Sequence, residues 1–165
     1  PIQGALGARV SWKGLTLDAN LMFASGHKVF ERWAWYSMHS GLRSTYYYQG
    51  DQRLMDRWQQ PGDVTNVPKM VYSTSSLSGG SGTTSRFLYD GDFMRLRDLS
   101  LNYTLPKGAT DAIGFNRVDI FVKGLNLFTW TKDELPFDPE VRASGNFRIT
   151  TPPLKSISVG ANLNF

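Results

Sequence analysis

The chain has 165 residues, 41% of them hydrophobic, 13% aromatic and 19% charged, with a net charge of +4 and no cysteine. The absence of cysteine excludes a disulfide framework and any thiolate site, and the scattered positive charge forms no basic run of the kind that binds nucleic acid. No apolar run approaches the roughly 18 residues of a membrane-spanning helix.

The N-terminus, PIQGALGARV, has no initiator Met and no basic stretch leading into an apolar one, so the chain is expected to be a piece of something longer or to have lost its start. Residues 4–12 then alternate. Leu6, Ala8, Val10 and Trp12 share one face, with Gly7, Arg9 and Ser11 on the other. Lys13-Gly14 suits a tight hairpin turn. Residues 15–25 alternate again, with Leu15, Leu17, Ala19, Leu21 and Phe23 against Thr16, Asp18 and Asn20. A long connection, 26–91, leads to a third alternating segment at 92–105, where Leu99, Leu101, Tyr103 and Leu105 stand opposite Asp98, Ser100, Asn102 and Thr104. A short turn, 106–116, precedes a fourth at 117–130, built on Val118, Ile120, Val122, Phe128 and Trp130. In that segment Asn126 breaks the rule and Phe121 sits on the polar side. A second long connection, 131–153, leads to the fifth, 155–165, which alternates to its last residue, Phe165.

Period-two patterning predicts strands with one apolar and one polar face. The connections run short, long, short, long, which in an antiparallel meander gathers the long loops at one end. Outer-membrane barrels have this asymmetry, with short periplasmic turns, long extracellular loops and aromatic girdles; Trp12, Tyr103, Trp130 and Phe165 lie at strand ends. The strands also match the ~9–11 residues that cross a bilayer at a tilt. The predicted fold is therefore all-β: about five C-terminal antiparallel strands of a large transmembrane β-barrel, with extracellular loops 26–91 and 131–153. Val10, Leu17, Leu21, Leu101, Ile120, Val159 and Leu163 are expected to face lipid; Asp18, Asn20, Asp98, Ser100, Asn102, Ser158 and Asn162 are expected to face the lumen. Five strands alone would leave two open edges in lipid, so the rest of the barrel is expected upstream.

Gly91–Lys107, GDFMRLRDLSLNYTLPK, resembles the C-terminal part of SusC-like TonB-dependent transporters, the outer-membrane nutrient importers of Bacteroidota. The resemblance continues through Arg117–Lys132, RVDIFVKGLNLFTWTK, through Asp138–Val141 and the closing strand, and Asp56–Lys69 is similar to the family's preceding extracellular segment. It implies a barrel of about twenty-two strands with a plugged lumen. It also implies energy from the TonB complex through an N-terminal region absent here, and a SusD-like surface lipoprotein that delivers glycan, oligosaccharide or peptide. No cofactor, metal or enzymatic chemistry is implied. The C-terminus is expected at the periplasmic side of the outer membrane, with Phe165 as interface anchor and assembly signal.

Trp33, Trp35, Tyr36, Tyr46, Tyr47, Tyr48 and Trp58 form an aromatic cluster suited to contact with a ligand or the lipoprotein, or to packing of the loop on itself. Arg95 and Arg97 lie near the extracellular end of the third strand, where they suit an anionic ligand or rim salt bridges. Asp133-Glu134 and Asp138-Pro139-Glu140 read as solvated loop with an Asp-Pro turn, without metal-ligand spacing, and His27 and His39 do not read as a metal pair. A passive porin or structural barrel, or a soluble carbohydrate-binding sandwich, are the alternatives these residues leave open.

Overall fold

A computed structural model describes residues 1–40, 49–71, 83–141 and 144–165. The chain divides into two compact units, 1–27, 91–139 and 152–165 in one, and 28–90 with 140–151 in the other.

The first unit is a five-stranded antiparallel sheet of β1 (Ile2–Trp12), β2 (Leu15–Ser25), β5 (Phe93–Thr104), β6 (Arg117–Thr131) and β8 (Ser156–Asn164), in the order β1-β2-β5-β6-β8. It is a meander, so each strand pairs with the next long one in the chain. Lys13 (φ 47°) and Gly14 (φ 85°) turn β1 into β2, the doubly left-handed geometry of a two-residue hairpin. Between β5 and β6 a single short helix, α2 (Lys107–Ala112), occupies the turn and ends at Gly114 (φ 77°). At the other end Asp92 ties the strands together. Its carboxylate accepts from Ser25 Oγ (2.8 Å) and the Gly26 N–H (2.7 Å), and its carbonyl from the Lys132 N–H (3.0 Å).

Residues directly opposite one another in a ladder share a face. Val10, Leu17, Leu101, Val122 and Val159 form one row across all five strands. The adjacent row on the opposite face is Arg9, Asp18, Ser100, Lys123 and Ser158. Arg9 pairs with Asp18 at 2.5 Å, and Asn20 Nδ2 donates to Asp98 Oδ2 at 2.9 Å, so the polar face is cross-linked strand to strand. The apolar face is uncovered: Val122 is 42% exposed and Val159 72%.

A bulge explains the irregularities of the pattern. Asn20 and Leu21 on β2 oppose Asp98 and Leu96, leaving Arg97 extra on β5; across from it, Asn126 and Leu127 are extra on β6. Strict alternation from Leu99 would put Arg97 among the apolar side chains. The inserted residue reverses the parity, returns Leu96 and Met94 to the apolar face beside Leu21 and Phe23, and turns Arg95 to the polar one. Asn126 sits at φ 52°, a conformation asparagine tolerates, and donates Nδ2 to the Leu154 carbonyl (3.1 Å). Phe121 on the polar side covers Gly160: a Cβ added at that glycine would lie 2.6 Å from the ring.

The second unit carries the two long connections, and neither is structureless. β3 (Lys28–Glu31) pairs antiparallel with β4 (Leu88–Asp90) and parallel with β7 (Asn146–Phe147), so the two connections join in one small sheet. Helix α1 (Arg32–Ser37) follows β3 directly, and 3-10 turns lie at Gln52–Asp56 and Ser85–Phe87. Ala34, Met38, Val67 and Phe87 are buried together, with Phe30 and Leu54 packed against them. Gly145 (φ 68°) passes so close to β3 that a Cβ there would lie 2.9 Å from the Lys28 carbonyl oxygen.

Candidate functional site

Helix α1 is only six residues long, and its sequence RWAWYS divides its contacts. Ala34 and Ser37, three apart, are buried, and the Met38 N–H closes the helix on the Ala34 carbonyl (2.7 Å). Trp33 and Tyr36, also three apart, remain half-buried with ring centroids 6.0 Å apart and planes inclined at 41°. Trp35 packs on Tyr36 at 4.8 Å, and the Arg32 guanidinium lies over the Trp35 ring at 5.6 Å. Together with Arg148 and Ile149, residues Arg32, Trp33 and Tyr36 line a cleft of about 390 Å³.

Of the predicted aromatic cluster, the structure brings Trp33, Trp35 and Tyr36 into mutual contact. Trp58 has a separate setting, with the Lys69 ammonium 5.6 Å from its ring and its N–H donating to the Val67 carbonyl (2.9 Å). Tyr46, Tyr47 and Tyr48 lie outside the described residues.

The same unit holds a polar network that no sequence pattern marks. Glu31, nearly fully buried, accepts both Arg53 terminal nitrogens at 2.7 and 3.0 Å, and the Tyr89 hydroxyl at 3.1 Å. Asp51 binds the same guanidinium at 2.7 and 3.0 Å and caps the following 3-10 turn through the Arg53 N–H (2.9 Å). Hydrogen bonding to Asp51 and Glu31 pushes the Arg53 pKa up; the Arg53 guanidinium in turn holds Asp51 below the usual carboxylate range. Burial, and then the Glu31 charge, raise the Tyr89 phenol. Arg86 donates Nη2 to the Met38 carbonyl (2.6 Å) and lies over the Phe87 ring at 4.5 Å, while its Nε and Nη1 are buried without a hydrogen-bond partner among the described residues. Burial lowers the Arg86 pKa. The sequence signal at this network is Glu31 directly after the apolar pair Val29-Phe30 of β3.

The two strand arginines part company. Arg95 is 1% exposed: its Nη2 meets Asp138 Oδ2 at 2.5 Å and its Nε donates to Thr129 Oγ1 at 3.1 Å. Asp138 is therefore the anchor of a buried cation and not a solvated loop residue, because an unpaired guanidinium could not be buried at this cost. Arg97 is exposed on the bulge. Phe165 is 84% exposed, its ring 5.4 Å from that of Phe115. Among the described residues no group of three or more His, Cys, Asp or Glu is placed to hold a metal ion.

One apolar and one cross-linked polar face on a meander of long strands defines the first level of identity: a strand set from a transmembrane β-barrel. No family model matches the chain. TonB-dependent receptor P3 of Formosa agariphila is 30% identical over 123 residues, 68% of this chain and 12% of that protein. TonB-dependent receptor P39 of the same organism is 28% identical over 126 residues, again 12% of its length. Among solved structures, the RagAB peptide importer in its closed-closed state matches 100% of this chain and 17% of its own, with a TM-score of 0.80 and 26% identity. A further structure of the RagAB peptide transporter gives a TM-score of 0.75 and 28% identity over 98% of this chain and 17% of that one. The chain is a C-terminal part of the barrel of a SusC-like TonB-dependent outer-membrane transporter. It spans less than a fifth of the length of these relatives, from 12% to 17%.

Proposed function

We propose that the whole protein imports peptides actively across the outer membrane, driven by the TonB complex through a region outside this chain and loaded by a SusD-like surface lipoprotein. The single observation that supports this most is the match of the entire chain, loop unit included, to the RagAB peptide importer at a TM-score of 0.80 and 26% identity. In this reading the apolar row through Val122 faces lipid, the row through Lys123 faces the lumen, and the connections 26–91 and 131–153 are extracellular. The aromatic residues of α1 and the strand arginines serve the loops, and no enzymatic step is assigned to the chain. Glycans or oligosaccharides are the other cargo class of the family resemblance; the peptide importer named among the solved structures favours peptide.

The test is uptake of a labelled short peptide by cells carrying the full-length protein. The expected result is accumulation that disappears in a TonB-deficient strain while the amount of barrel in the outer membrane stays constant. Uptake that persists without TonB would overturn active import and leave a passive porin.

Phe165 has a role of its own in this proposal, as the periplasmic anchor of the last strand and the residue read during barrel assembly. Burying one phenylalanine is worth about 1.5–3 kcal/mol, a small share of a large barrel's stability. Phe165→Ala should nevertheless lower the heat-modifiable barrel in outer-membrane fractions severalfold. Wild-type levels would remove the assembly role.

A further inference from the structure

The described arginines differ in what compensates them; Arg57 and Arg86 donate to the carbonyls of Leu54 and Met38. Arg9, Arg53, Arg95 and Arg117 each pair with a carboxylate, at 2.5, 2.7, 2.5 and 2.9 Å. Arg32 and Arg148 have no carboxylate partner among the described residues, and both line the same cleft. The rest of the lining is Trp33, Tyr36 and the largely exposed Ile149. Among the described residues, two cations without a carboxylate partner stand beside an apolar wall with no acidic side chain in the lining, one half of a charge pair and one half of a hydrophobic contact.

We propose that this cleft receives an acidic peptide segment, Arg32 and Arg148 taking a carboxylate and Trp33, Tyr36 and Ile149 an adjoining aliphatic side chain. The inference rests on the import reading and adds a substrate class to it. The volume, about 390 Å³, is that of a small-ligand site and is too large for a lone ion. The planar guanidinium matches a carboxylate in a two-pronged hydrogen bond, and stacking on Trp35 holds Arg32 in place before the ligand arrives. A pyranose would prefer a flat aromatic platform. Here the Trp33 and Tyr36 planes are inclined at 41° and an isoleucine completes the wall, which suits a branched aliphatic chain better than a sugar face.

The experiment uses the full-length transporter purified with its lipoprotein. Binding is measured by calorimetry for a short leucine-containing peptide rich in glutamate, for its glutamine counterpart and for an oligogalacturonide. Wild type should prefer the glutamate peptide. Arg32→Gln with Arg148→Gln should weaken that peptide about tenfold or more, the scale of one charge-assisted hydrogen bond, and leave the glutamine peptide within about twofold. Arg148→Glu should shift preference toward a lysine-containing peptide, a gain that misfolding cannot imitate. The proposal is overturned by unchanged affinity for the glutamate peptide in the double variant, or by no preference for it in wild type. It is equally overturned by an oligogalacturonide that binds where the peptide does not. Uptake of the glutamine peptide separates the two levels: cells that import it without preferring acidic peptides refute the cleft alone, whereas cells that import neither refute the proposed function.

Discussion

The sheet and the loop unit solve opposite solvent problems with the same amino acids. In the loop unit Val29, Ala34, Met38, Val67 and Phe87 are buried, as in any water-soluble core. In the sheet the apolar row Val10, Leu17, Leu101, Val122 and Val159 is exposed, while Arg9 with Asp18 and Asn20 with Asp98 are cross-linked on the other face. Both arrangements remove apolar surface from water, but the sheet does so only where lipid supplies the missing half. The loop unit carries its own interior. The same hydrophobic residue types therefore yield two burial patterns, and the polar partners, more than the apolar residues, show which one a segment follows.

Substitutions that damage one unit and spare the other test this contrast most severely. Phe87 is almost completely buried, edge-on to Phe30 at 6.4 Å, so Phe87→Ala should cost the loop unit about 3–5 kcal/mol. Limited proteolysis of the intact transporter should then cut 28–90 readily while the barrel keeps its heat-modifiable mobility. Simultaneous loss of both would show that the two units do not stabilise independently.

Leu101 is the mirror case. Leu101→Arg, in the middle of the apolar row, should cost about 2–4 kcal/mol in lipid, whereas Ser100→Arg on the opposite face should cost little. Urea unfolding of the barrel in vesicles measures both, and equal costs would break the assignment of faces.

The bulge gives a smaller and sharper test. Asn126→Ala places a Cβ-bearing residue without asparagine's local hydrogen bonding at φ 52° and loses the bond to Leu154, for about 1–2 kcal/mol. Asn126→Gly loses the same bond but takes the left-handed conformation without strain, so its melting temperature should fall less than that of Asn126→Ala.

The smallest effect concerns pH. Burial lowers the His39 pKa below its ordinary value near 6.5. Above that value folded and unfolded states are both neutral there; as pH falls through it the unfolded state takes up the proton first, and stability is lost down to the folded pKa. Proteolysis of the loop unit should accelerate as pH falls below the ordinary histidine value, and His39→Gln should flatten that part of the profile.

The five strands of the large sheet, their order and their two faces were legible in the sequence, unlike the short β3, β4 and β7, because alternation is a local property: period two fixes which side each residue takes once a strand forms. Leu17 and Asp18 needed no structure to be assigned to opposite faces. The same locality made Asn126 visible as a break but not as a bulge, since a bulge is defined by the partner strand's count and not by its own. The aromatic run at Trp33–Tyr36 marked the α1 cleft, yet its other wall, Arg148 and Ile149, lies more than a hundred residues away, and only the pairing of β3 with β7 places those two segments in one unit. Asp138 looked like an ordinary loop acid until Arg95 was seen buried against it. Sequence by itself determined what repeats along the backbone: the strands, their two faces and the family resemblance. Tertiary structure alone decided what depends on distant segments meeting, because a buried charge or a cleft takes its chemistry from neighbours that the order of residues does not name.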